Sequence, residues 1–207
     1  MLCGTNMTDI KISNRSAILR LLHEAGAMSR KQIAARLKLT PATITVIINE
    51  LMNESILVEG NSVPNAGAVG RREVMVEISR EKYVALGLAL SQGLVKFTVV
   101  NLHGEIIHEE TFKLPEILTP EYFAETIGRQ IQLKIASYGY SENFIIGIGI
   151  TVCGVVDFAN GIILDSDGIW EEKNVPIVKM FRKQFSFPVI AANNVRSYAN
   201  AYAFFAA

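Results

Sequence analysis

The sequence predicts an α/β chain of two parts: a winged helix-turn-helix over residues 1–80 and an α/β layer over residues 81–207. Three observations carry this. Residues 14–51 hold three short amphipathic segments with helix start signals. Residues 56–59 and 73–78 read as two strands around a loop rich in Gly, Asn and Ser. From Tyr83 the rhythm changes to three apolar strands in succession, followed by alternating helix and strand.

The first helix, residues 14–25, is apolar at Ile18, Leu21 and Leu22. The second starts near Arg30. Ser29 caps its first backbone amides, and Gln32, three residues on, returns a bond to the amide of the cap residue. Ile33, Ala34 and Leu37 recur at helical spacing for burial, and a polar turn follows over residues 38–40. Thr40 and Pro41 start the third helix, a capping hydroxyl followed by a ring whose fixed φ suits the first helical position. Ile44, Ile47, Ile48 and Leu51 form one apolar stripe, so Ala42, Val46 and Asn49 point the other way, with Thr43 and Thr45 beside them.

This pattern suits DNA. Arg30, Lys31, Arg36 and Lys38 have no apolar role and can face phosphates. A third helix lying in the major groove offers Asn49 for bidentate bonds, threonine hydroxyls for base edges or phosphates, and Ala42 and Val46 methyls for thymine. The wing loop ends in Gly70, Arg71 and Arg72, and two arginines on a wing suit the narrow, electronegative minor groove of A·T tracts. The bland alternatives are a helical hairpin with a solvated face and a loop with incidental charges. Charge distribution favours the DNA reading. Residues 1–80 carry 10 Lys+Arg against 7 Asp+Glu, and residues 81–207 carry 10 against 13, so a net of +3 and a net of −3 hide inside an overall charge of zero.

Half of the 207 residues are hydrophobic, enough for a sizeable core. No apolar run approaches the ~20 residues of a membrane span, and the start MLCGTNMTDIK lacks a signal-peptide pattern, so a cytoplasmic location without membrane contact is expected. Cys3 and Cys153 give no disulfide framework, and His23, His103 and His108 have no metal-ligand spacing. No metal or cofactor is expected.

In the second part, YVALGLAL, VKFTVVNL and residues 106–112 are the three strands, with turns at residues 91–94 and at His103-Gly104. Thr119 caps a helix running to about Tyr138. The strand FIIGIGITV, an Asn160-Gly161 hairpin signal, a helix over residues 177–184, a strand over residues 188–192 and a closing apolar helix from Val195 complete the chain. Gly147 and Gly149 sit inside a strand with Val at position 152, which points to a close-packed strand and not to a dinucleotide fingerprint.

The run SR…QIA…L…TPATIT…I..L with its GRR element, and then LGLAL…VVNLHGEII, GIGITVCGVVD, NVPI and FPVIAANN, resemble in order and spacing the ROK family of repressors, open reading frames and sugar kinases. The resemblance spans nearly the whole chain. It implies an actin-like, ribonuclease H-like second domain, of which the chain holds the first lobe. The family's kinases carry an LGIDIGGT-like hairpin whose aspartate and glycines handle metal and phosphate; here the aspartate position is Ala89 and the glycine pair is Ser91-Gln92. Their ENDAN-like signature supplies an aspartate base, and Asn194 stands in its place within Ala192-Asn193-Asn194-Val195-Arg196. An amide cannot take the proton, although it can still bond a sugar hydroxyl. Gly154, opening GVVD, matches the family's sugar-cleft loop and reads equally as a strand-end turn. The resemblance further implies a second lobe with more sugar contacts and a Cys/His zinc site, so a closed sugar pocket is not expected from these residues. Together these features imply a transcriptional regulator, of repressor type, for sugar-metabolism genes. It would bind a double-stranded DNA operator as a homodimer, use Gly154, Asn193 and Asn194 toward a sugar or sugar-phosphate effector, and have no catalytic residues. The alternatives are a sugar kinase with a DNA-binding arm and a truncated dimerisation module.

Overall fold

The computed structural model describes residues 6–60, 73–115 and 119–205. The chain divides into two compact units, Met1–Lys82 and Tyr83–Ala207.

The first unit holds α1 (Met7–Ala25), β1 (Met28–Ser29), α2 (Arg30–Leu37), α3 (Pro41–Asn53), β2 (Leu57–Glu59) and β3 (Met75–Ile78). Both predicted helix starts form as read. Ser29 caps α2 in a complete capping box with Gln32, and the Thr40 hydroxyl caps α3 by accepting from the Thr43 amide. Lys38 closes α2 in the left-handed region, φ 54° and ψ 36°, which turns the chain sharply into α3. Helix α1 begins seven residues earlier than expected, capped by Asn6; its first turns carry Ile10 and Ile12 on the surface, so hydrophobic periodicity gave no sign of them. Ile18, Leu22, Ile33, Ile44, Ile47, Ile48, Leu51, Leu57 and Val76 make the core, while Leu21 and Leu37 are only half-buried. The wing strands pair antiparallel with Leu57 opposite Ile78, and the unpredicted β1 adds to the other edge of β3, so the order is β1-β3-β2.

The second unit is built on a five-stranded sheet of β4 (Val84–Ser91), β5 (Leu94–Asn101), β6 (Ile106–Lys113), β7 (Ile145–Val152) and β10 (Val189–Asn193), with β8 (Val155–Asp157) and β9 (Ile162–Asp165) as a separate hairpin. The order is β10-β7-β4-β5-β6. The first three strands run as an antiparallel meander, and β7 and β10 lie parallel to β4. This is the actin-like arrangement. Alternation along β4 sends Val84, Leu86, Leu88 and Leu90 to one face, where they share a core with Phe123, Ile127, Ile131 and Ile135 of α4 (Pro120–Ser137) and with Ile177 and Phe181 of α5 (Ile177–Phe181). Helix α5 ends at Phe181, three residues short of the expected end. In β7, a Cβ on Gly147 would lie 3.0 Å from the Pro188 carbonyl oxygen, whereas Gly149 has open space, so close packing holds for the first glycine alone. The expected closing helix is α6 (Asn194–Phe205), but none of its residues is buried.

Ile131 is fully buried at the middle of α4. Ile131→Ala should lower the unfolding free energy by ~2–5 kcal/mol in a urea titration with unchanged slope; a loss below ~1 kcal/mol would contradict this packing.

Candidate nucleic-acid interface and ligand cleft

In the first unit, burial of the isoleucine stripe leaves Ala42, Val46 and Asn49 exposed on one side of α3, and Val46 shows 56% of its surface to solvent. The neighbouring hydroxyls are less available than the sequence suggested. Thr45 Oγ1 donates to the Pro41 carbonyl at 2.8 Å, and Thr43 Oγ1 sits 2.9 Å from Thr40 Oγ1. Each is held by the first turn of its own helix. A groove edged by Arg30 and Lys31 from α2 and by Pro41 and Thr45 from α3 runs along one flank; Ile10, Lys11 and Asn14 of α1 border the other, beside Ala42 and Val46.

The basic residues separate into two groups. Lys31, Arg36 and Lys38 are exposed, whereas Arg30 is half-buried, with its guanidinium 3.6 Å from the Met52 sulfur. Lys11 and Arg15 do not contribute to a positive reading face. Lys11 Nζ lies 2.7 Å from Glu50 Oε1, and Arg15 Nη1 donates to Glu54 Oε1 at 3.0 Å within a two-point bond. This clasp between α1 and α3 was absent from the sequence reading. Its signal was available: each helix places its two partners four residues apart. Hydrogen bonding from Arg15 holds the Glu54 carboxyl below the ordinary glutamate range, and the same bond raises the Arg15 guanidinium. Gly70, Arg71 and Arg72 lie outside the described residues.

In the second unit, the carboxyl ends of β4, β7 and β10 meet at one corner, the usual ligand position in an α/β sheet. Asn193 Nδ2 donates to the Gly154 carbonyl at 2.8 Å, and Asn193 Oδ1 accepts from the amides of Val195 and Arg196 at 2.9 and 3.2 Å. The side chain therefore ties β10 to the loop after β7 and caps α6. Asn194 is exposed, and its Oδ1 accepts from the Val195 amide. Gly154 has φ 139°, and a Cβ there would come 2.0 Å from the Asp165 carbonyl oxygen, so only glycine fits. Asp167 joins this corner without having been foreseen. Cys153 Sγ donates to Asp167 Oδ2 at 3.3 Å, which raises the thiol above its ordinary pKa, and Gln92 Nε2 reaches the Asp167 carbonyl at 3.4 Å. Ala89, paired with Thr151 across the sheet, offers no ligand atom at the end of β4. Among the described residues no group of three or more His, Cys, Asp or Glu could hold a metal ion, and no helix is long and apolar enough to cross a membrane.

A winged helix-turn-helix followed by an α/β sheet unit is the order in which two family matches fall along the chain. Residues 86–207 match the ROK family and residues 13–58 match the winged helix-turn-helix DNA-binding family, and the chain belongs to the ROK family. It is 28% identical over 202 residues to the DNA-binding transcriptional dual regulator NagC of Escherichia coli K12, covering 98% of this chain and 49% of that protein. It is 25% identical over 193 residues to the xylose repressor of Caldicellulosiruptor bescii, covering 93% and 47%. The chain thus spans about half the length of the curated relatives it matches. The crystal structure of a ROK family transcriptional regulator described as a homologue of the E. coli Mlc protein superposes with a TM-score of 0.78 at 24% identity, over 95% of this chain and 49% of that one, which shows a common fold.

The clasp makes a prediction about acid sensitivity. A carboxylate whose folded-state pKa is depressed stabilises the fold above its unfolded value and loses that contribution as pH falls through the folded one. Glu54→Gln should cost about 0.5 kcal/mol at pH 7, small because the pair is solvent-screened, and should flatten the stability profile of the first unit below about pH 4.5. An acid profile identical to that of the parent would contradict the assignment.

Proposed function

We propose that the chain is a sugar-responsive transcriptional repressor in which the first unit reads an operator and the second serves as a sensor without catalysis. The carrying observation is the outward face of α3, with Ala42, Val46 and Asn49 exposed beside the basic residues of α2 and its turn. In this reading α3 enters the major groove, where Asn49 makes a bidentate base contact and Ala42 and Val46 meet thymine methyls. Thr45 presents lone pairs instead of a donor, because its hydroxyl already donates to the Pro41 carbonyl, and Thr43 shares its hydroxyl with that of Thr40. Lys31, Arg36 and Lys38 set the register on phosphates, Arg30 supports them from the groove edge, and Arg71 and Arg72 reach the minor groove from the wing. One short helix reads too few base pairs for genome-wide specificity, so the operator is bound by a homodimer in the cytoplasm.

For the second unit, the reading rests on chemistry at the corner of the sheet. Ala89 cannot bind a cation even through water, and the Asn194 amide cannot act as a base, so phosphoryl transfer fails while a sugar or sugar-phosphate can still bond to Asn194 beside Gly154. Asn193 is a positioning residue for this loop, since its amide is engaged with Gly154 and with α6. One observation favours a sugar kinase instead: the Asp167 carboxylate stands at the same corner. Metal-dependent ATP hydrolysis stimulated by a hexose would support that rival and overturn the repressor reading of this unit.

With operator fragments selected from genomic DNA, Asn49→Ala should relax base choice at one position at a cost of ~1–3 kcal/mol. Lys31→Ala should weaken all sequences evenly and reduce the salt slope by about one unit. An even loss across sequences for Asn49→Ala would remove it from base reading.

A further inference from the structure

The groove between α1 and α3 differs in chemistry from the one beside α2. Ile10 and Asn14 stand one turn apart on α1 and border this groove, with Ala42, Thr43, Val46 and Ile47 of α3 across from them. Ile10 keeps 47% of its surface in solvent, and Asn14 is half-buried. Among the described residues no hydrogen bond is made to the Asn14 side-chain amide, which keeps two donors and a carbonyl available. The cations on this side are engaged, Lys11 with Glu50 and Arg15 with Glu50 and Glu54. Asp9, about one and a half turns before Asn14, disfavours an anion at the start of α1.

We propose that Asn14 is a further DNA contact, a neutral donor to a phosphate on the strand opposite the one that α2 meets. A helix lying in the major groove has a wall on each side, one from either strand. With Ala42, Val46 and Asn49 turned toward base edges, the two flanks of α3 face these walls. Arg30 and Lys31 border the flank on the α2 side, and Ile10 and Asn14 border the other. A phosphate on the α1 side meets no unpaired cation among these residues, so its partner is a neutral amide, a common form of backbone contact. Ile10 can lie along the adjacent deoxyribose without losing a hydrogen bond. A base edge fits less well, because Asn14 stands at the flank of α3 and not on its outward face. The occupant is DNA and not a separate protein for a geometric reason: Ala42 and Val46 belong both to the reading face and to the rim of this groove, so a duplex seated on them covers it.

This role rests on the DNA reading of α3 and is tested apart from it. The measurement is the affinity of the full chain for a duplex bearing a selected site and for a scrambled duplex, at low and at near-physiological salt. Asn14→Ala should weaken both duplexes about tenfold with an unchanged salt slope, because a neutral amide releases no counterion. Asn14→Asp keeps the size of the side chain and sets a carboxylate against the phosphate. It should weaken both on the order of a hundredfold at low salt and less at higher salt, with an unchanged circular dichroism spectrum. Ser16→Asp adds the same charge two residues on, at an exposed position on the opposite side of α1, and should weaken them about threefold at most. Equal losses from the two aspartate variants, or a loss confined to the selected site, would overturn the phosphate contact. Affinities untouched by Asn14→Ala and Asn14→Asp would also overturn it and leave the groove to a protein partner. A parent chain that binds both duplexes alike would refute specific reading by α3 while these comparisons still decide Asn14; a parent that binds neither duplex would overturn both.

Discussion

The rotation of α3 about its own axis governs what the first unit can present to a partner. Four large aliphatic side chains, Ile44, Ile47, Ile48 and Leu51, are buried with almost no residual exposure. Turning the helix by even one residue, about 100°, would bring them toward water. The opposite residues are therefore outward by exclusion, whatever their chemistry. The clasp of Lys11 and Arg15 on Glu50 and Glu54 reinforces that rotation at the far flank. It also neutralises two cations that a simple charge count assigns to the reading surface. The positive field narrows accordingly to α2 and the turn, next to the start of α3 where a DNA backbone would run.

A different constraint shapes the second unit. Parallel pairing of β4 with β7, and of β7 with β10, brings three strand ends to one corner and leaves the chemistry to the loops that follow them. In the proposed sensor this corner keeps a scaffold without the reactive groups of a kinase. Gly154 retains the backbone geometry that only glycine tolerates, and Asn193 locks the loop to α6. The residues at the family's metal and base positions are an alanine and an amide. On the proposed reading this composition suits hydrogen bonding to hydroxyl groups and not phosphoryl transfer.

Local chemistry made much of this legible in the sequence. Ser29 with Gln32 and Thr40 with Pro41 act over three or four residues, so both helix starts follow from the chain alone. Alternation marks each strand of the main sheet for the same reason. What stayed hidden depends on distant partners. Strand β1 is two residues long and exists because β3 lies opposite it. The first turns of α1 carry exposed isoleucines that break the expected periodicity. Neither the Thr45 bond to Pro41 nor the placement of Asp167 beside Cys153 could be read from spacing, since one is a rotamer choice and the other a loop geometry. Asn193 illustrates the limit well: a residue type suited to sugar binding proves to be engaged by the backbone around it.

Specific DNA reading by α3 is tested by selection of genomic fragments with the purified chain at near-physiological salt. It should be run with and without a panel of hexoses and their phosphates. The expected result is a two-fold symmetric site, with half-sites spaced by whole helical turns of about 10–10.5 base pairs, released by one sugar. Recovery of fragments without sequence preference, retained only through salt-sensitive backbone contacts, would contradict it.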